Sequence, residues 1–127
     1  MLNKPSLAVV DSYFLLRVAI GQVLETLGFC VSILANDDKD FNEQVEHVAS
    51  VPDVCLLDID TPSLREFKVA KRIKERYPGI KIIAYTVYEK EFKKIDEYGV
   101  DIFLKKDCSP EEIKAKIIRL MEPVKIF

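Results

Sequence analysis

A chain of 127 residues is long enough for one domain that buries about two-thirds of the surface its unfolded form would expose. Its hydrophobic fraction of 49% and charged fraction of 31% fit a globular protein and exclude a disordered or fibrous one. A net charge of −2 with both signs interspersed leaves no footprint for nucleic acid, and no apolar run approaches the length of a membrane span.

The first apolar run, Leu7–Val10, reads as a strand and ends Val10-Asp11-Ser12. Leu16, Ile20, Val23, Leu24 and Leu27 then recur at helical spacing, and Gly28 supplies the stop. A second strand over Phe29–Leu34 leads to a helix marked by Phe41, Val45 and Val48. In the third run, Val54–Leu57, apolar residues follow one another without alternation, as in a strand buried on both faces. It runs straight into Asp58-Ile59-Asp60-Thr61-Pro62, where carboxylates are costly unless something compensates their desolvation. Phe67, Ala70, Ile73 and Tyr77 mark a third helix, closed by Pro78-Gly79. The fourth strand, Ile80–Tyr85, ends in Thr86-Val87, and a weaker helical segment follows from about Glu89 to Tyr98. The fifth strand, Ile102–Leu104, ends in Lys105-Lys106. Ser109 as N-cap, Pro110 at the first helical position and Glu112 placed for a capping box open the last helix, which carries Ile113, Ile117 and Leu120.

Strands that alternate with helices demand right-handed crossovers and a parallel sheet covered on both faces. Five such units are too few for an eight-stranded barrel, so the expected fold is α/β: an open, doubly wound parallel sheet. Residues 1–127 are expected to form a single domain without an output domain. Ligands of such sheets sit at the carboxyl ends of the strands. Acids (Asp11, Asp58), a hydroxyl (Thr86) and an amine (Lys106) converge on that edge. Two carboxylates brought together need a cation between them, and oxygen ligands suit a hard divalent ion such as Mg²⁺. A carboxylate oxygen left free is then a nucleophile toward a phosphoryl donor, with the ammonium and hydroxyl neutralising the phosphoryl oxygens.

From VVDS through LLDIDTP and YTV to FLKKDCSPEEI, the chain resembles the receiver domains of bacterial two-component response regulators. The ending resembles the subgroup in which the lysine is followed by Asp-x-Ser-Pro-Glu-Glu, which aligns Lys106 rather than Lys105 with the family's lysine. The resemblance implies a flavodoxin-like sheet of strand order 2-1-3-4-5, with Asp58 as phosphoacceptor and Mg²⁺ ligand, Asp11 as a second Mg²⁺ ligand and the main-chain carbonyl of Asp60 as another. It also implies Thr86 and Phe103 as the hydroxyl and aromatic residues that rearrange on activation. A sensor histidine kinase or phosphotransfer protein is the implied phosphoryl donor. The downstream partner is unspecified, a second copy of the chain is a candidate, and neither membrane nor direct nucleic-acid binding is expected. The implied role is a signalling phosphoacceptor and not an enzyme with a separate substrate.

Ser12 stands where the family usually has a second acid, so Mg²⁺ is expected to bind weakly, with Ser12 contacting it weakly or through water. Val87 is bulkier than the small residue usual there, and Tyr88 follows as an aromatic lid, so slow phosphoryl turnover is expected. Arg65-Glu66 replaces the usual Asp-Gly after the proline loop. Two further readings stay open: a phosphorylation-independent interaction module of the same fold, and a flavodoxin-like cofactor binder. The second has against it four glycines in all and no glycine-rich phosphate loop. The N-terminus MLNKPSLAVVD has no signal-peptide pattern, and Cys30, Cys55 and Cys108 make no zinc or disulfide pattern. They read as reduced, mostly buried thiols of a cytoplasmic protein. His47 and the basic face of the third helix (Lys68, Lys71, Arg72, Lys74) read as solvated surface.

Overall fold

The strands are β1 (Ser6–Val10), β2 (Cys30–Ala35), β3 (Val54–Asp58), β4 (Lys81–Thr86) and β5 (Ile102–Lys105). The structure is a computed structural model that describes residues 4–59, 64–87 and 95–122. All neighbouring strands are parallel, as expected from the alternating pattern, and they stand in the order β2-β1-β3-β4-β5 that the resemblance implies. Among the described residues the helices are α1 (Phe14–Thr26), α2 (Asp38–Val45), α3 (Leu64–Arg76) and α4 (Pro110–Met121).

Strand alternation sorts the core into two layers. Ala8, Val10, Cys55, Leu57, Ile82, Ala84 and Phe103 face α2 and α3, where Phe41, Phe67 and Ile73 cover them. Leu7, Val9, Leu56, Ile83 and Leu104 face the other way and meet Ile20 and Leu24 of α1 with Ile113 and Ile117 of α4. Fully burying each large apolar side chain stabilises by about 1.5–3 kcal/mol, and both layers depend on β3, whose apolar residues are all buried. One irregularity interrupts the alternation. Leu7 pairs with Val31 but Ala8 pairs with Ile33, so Ser32 is an extra residue in β2. The bulge lets Val31 and Leu34, three positions apart, join the same layer.

Local signals act as the sequence implies. Ser109 Oγ accepts the Glu112 N–H at 3.2 Å, and Pro110 opens α4. Asp37 caps α2 by accepting the Asp40 N–H at 2.8 Å. Gly28, at φ 98°, takes the left-handed conformation that ends α1.

Four expectations need correction. The described end of the segment 89–98 is a 3-10 turn, Ile95–Tyr98, and residues 88–94 lie outside the described residues. Leu16 is 51% exposed, because the buried stripe of α1 runs through Ile20, Gly21 and Leu24 instead. Cys30 is exposed at the start of the edge strand β2, whereas Cys55 lies in the core, where burial pushes its thiol up to about 12. The basic face of α3 is not simply solvated. Arg72 pairs with Asp38 at 2.8 Å, and Lys74 donates to Asp101 Oδ2 and to the Ile80 carbonyl. His47 is exposed, as expected.

Candidate functional site

The sheet ladder extends one rung beyond the regular strands; Asp11 and Lys106 stand on that rung, and Asp58 and Thr86 are the last residues of β3 and β4. The Asp11 N–H donates to the Ala35 carbonyl at 3.0 Å, Ile59 to Tyr85 at 3.0 Å, and Lys106 to Thr86 at 2.7 Å. Their backbones therefore belong to the rigid sheet and not to loops, which suits groups that must be held in a fixed geometry.

Asp11, Asp58 and Lys106 fall by alternation on the α1/α4 side of the sheet. Asp11 is 5% exposed. One of its carboxylate oxygens accepts the Tyr13 N–H at 2.8 Å, and Arg17 Nη1 donates to its main-chain carbonyl at 2.6 Å. The Asp58 side chain is 8% exposed and forms an ion pair with the Lys106 ammonium. Such a buried carboxylate needs its cation, since desolvation without a partner is strongly unfavourable. The same ammonium lies 5.5 Å from the centre of the Tyr85 ring. Burial first of all pushes the Tyr85 phenol above its usual range, so the ring is neutral near pH 7. Thr86 and Phe103 are buried on the opposite side of the sheet, the α2/α3 side.

A cavity of about 300 Å³ opens onto Asp11, Ser12 and Asp58. Its further walls include Asp37 and Asp38 from the start of α2 and Arg65, Glu66 and Arg72 from α3. Asp38 and Arg72 close one side of it through their ion pair, and the hydrogen bond from Arg72 holds the Asp38 carboxyl below the usual carboxylate range. The sequence reading missed this pair, because residues 34 positions apart give no periodic signal. It also missed Tyr85; the clue is that Tyr85 pairs in register with Asp58.

The donors around the cavity are hard oxygens, the kind Mg²⁺ takes, and Mg²⁺ is commonly held by one or two carboxylates with water completing the shell. Among the described residues, no three His, Cys, Asp or Glu side chains are gathered closely enough to hold an ion. Asp11 and Asp58 open onto the same cavity and offer two carboxylates of the kind a hydrated divalent ion takes. Asp60 and Tyr88 lie outside the described residues. Among the described residues no helix is long and apolar enough to cross a membrane.

The family model described as "Response regulator receiver domain" matches residues 7–118. The chain belongs to that family. These receiver domains are modules of two-component systems. The Bacillus subtilis alkaline phosphatase synthesis transcriptional regulatory protein PhoP is 29% identical over 118 residues, covering 91% of this chain and 48% of that protein. The chain spans half or less of the length of the curated relatives it matches. Among solved structures, the Vibrio cholerae chemotaxis protein CheY4 superposes with a TM-score of 0.77 at 20% identity, covering 94% of this chain and all of that one. The CheX-CheY-BeF3-Mg²⁺ complex from Borrelia burgdorferi gives 0.78 at 18%, covering 93% and 90%. At these identities the structural likeness shows the fold.

Proposed function

We propose that this receiver domain accepts a phosphoryl group on Asp58 and relays that event through Thr86 and Phe103. The observation that carries the reading is the Asp58–Lys106 ion pair on the rigid strand edge, beside a cavity that also presents Asp11. An Asp58 carboxylate oxygen attacks phosphorus, and the bond from phosphorus to the donor atom breaks with its electron pair leaving on the donor. That donor atom is the imidazole nitrogen of a histidine kinase or phosphotransfer protein, or the oxygen of a small acyl phosphate. Lys106, already placed on Asp58, neutralises the phosphoryl oxygens as the charge arrives. Asp11 and Asp58, with the Asp60 carbonyl and a weak or water-mediated contact from Ser12, would hold Mg²⁺. When bound, the ion would supply charge neutralisation between acceptor and donor.

The added charge of about −1.5 to −2 gives Thr86 a reason to turn toward Asp58 across the edge of the sheet. Phe103, packed beside Ala84 on the same side as Thr86, then repacks and changes the surface around β5 and α4. The donor has a landing place. Tyr13, Phe14, Leu15 and Leu16 are 51–78% exposed at the start of α1, directly after Asp11. An apolar patch of this kind on a soluble surface marks a protein contact. The relatives' role as transcriptional regulators suggests an output on gene expression, through a partner or domain of unassigned identity.

Incubation with acetyl phosphate and Mg²⁺, followed by intact-mass measurement, tests the reading. An adduct of about 80 Da, one phosphoryl group, that is lost in Asp58→Asn is expected. Parent protein that stays unmodified under saturating donor would instead favour the phosphorylation-independent interaction module, of which Ser12 is the mark.

A further inference from the structure

We propose that Tyr85 is a positioning residue for Lys106. The inference rests on the proposed acceptor role of Asp58 and deepens it. Two consecutive residues of β4 hold the two ends of this lysine. The Thr86 carbonyl accepts the Lys106 N–H at 2.7 Å, which fixes the backbone, and the Tyr85 ring stands 5.5 Å from the ammonium, which fixes the tip. That separation is within the reach of a cation–π interaction, about 6 Å from the ring centre.

The register explains why the ring lies there. Tyr85 pairs with Asp58 on one side and Leu104 on the other, so the three side chains stand on one face of the sheet. Lys106, two residues after Leu104, continues that face and reaches back over Tyr85 to Asp58. A lysine has a long, flexible stem and a point charge, and alone it is a poor positioning group. Here it also has somewhere else to go. A second cavity, of about 280 Å³, lies on the α1 side and is lined mostly by apolar residues, Leu16, Ile20 and Val23, together with Asp11, Tyr85 and Lys106. The ring narrows the lysine's options to the Asp58 side. Without it the stem can fold into this apolar space, and the ammonium leaves the acceptor.

The test pairs Tyr85→Leu with Tyr85→Phe. Leucine keeps an apolar side chain in β4 but removes the ring, whereas phenylalanine keeps the ring and removes the hydroxyl. In the unphosphorylated protein, the Lys106 Cε protons should show an upfield ring-current shift by NMR. The shift should persist in Tyr85→Phe and vanish in Tyr85→Leu. With acetyl phosphate and Mg²⁺, Tyr85→Leu should form the adduct about ten-fold more slowly at saturating donor, with half-saturation little changed. Tyr85→Phe should stay within about two-fold of the parent. Equal NMR shifts in both variants and the parent, or an equal loss of rate in both variants, overturns the proposal. If the parent takes no phosphoryl group, the acceptor reading fails, and the NMR comparison by itself still decides whether the ring positions the lysine.

Discussion

Under the proposed function, Ser12 is the residue on which metal binding at the site turns. It is exposed at the cavity that Asp11 and Asp58 share, and it is neutral where a carboxylate would add a full charge beside the ion. At contact distance and an effective dielectric near 20, one such charge is worth about 4 kcal/mol before screening. Ser12→Asp is therefore expected to tighten Mg²⁺ binding by between about ten- and a thousand-fold, read by titration calorimetry. In the absence of Mg²⁺ the same variant should melt at a lower temperature than the parent, because Asp11, Asp37, Asp38 and Asp58 already line that cavity. Saturating Mg²⁺ should close the difference. An unchanged affinity would show that residue 12 lies too far from the ion to act on it. At this scale the sequence was informative wherever a residue stands at a strand end. Asp11, Asp58, Thr86 and Lys106 are all found on the carboxyl edge.

Among the elements, α2 and α3 frame the cavity, and the Asp38–Arg72 pair ties them together. Arg72 is 54% exposed, so the pair is screened by water and is worth about 0.2–1 kcal/mol. Arg72 lowers the Asp38 pKa in the folded protein, so the stabilisation is fully present above the unfolded carboxylate value, near 4. It fades as pH falls below that value and through the lowered folded one. Asp38→Asn should accordingly cost about 0.2–1 kcal/mol in urea unfolding at pH 7 and less at about pH 3. A deficit of the same size at both pH values would mean that the loss is not electrostatic. The helices also show what periodicity cannot separate. Leu16 belongs to the apolar spacing of α1, yet the helix starts at Phe14 and its first turn overhangs the edge of the sheet, leaving Leu16 half exposed. Apolar spacing predicts a face, but how far along the helix that face is covered depends on where the sheet ends.

For the whole molecule, the two-layer core sets the route a signal must take. Asp58 and Lys106 stand on the α1/α4 side of the sheet, while Thr86 and Phe103 stand on the α2/α3 side. In the proposed relay, coupling between them would cross the carboxyl edge, where the Thr86 carbonyl already accepts the Lys106 N–H. Thr86→Ala is expected to leave the phosphoryl adduct on Asp58 intact but to abolish the change in amide hydrogen exchange that phosphorylation causes around β5 and α4. The two proteins would be compared with and without acetyl phosphate. An exchange change in the variant equal to the parent's would remove Thr86 from the relay.

The sequence by itself determined the alternation of strand and helix, hence the parallel doubly wound sheet and the edge on which its polar residues gather. It could do so because side-chain periodicity and strand direction are local, and because parallel strands put all their carboxyl ends on one side. Only the tertiary structure decided which distant residues share that edge in contact: the ring of Tyr85 against Lys106, Asp38 against Arg72, and the exposed start of α1 beside Asp11. Those contacts depend on strand register and on where each helix lies relative to the end of the sheet, and neither quantity is written in the spacing of apolar residues along one segment.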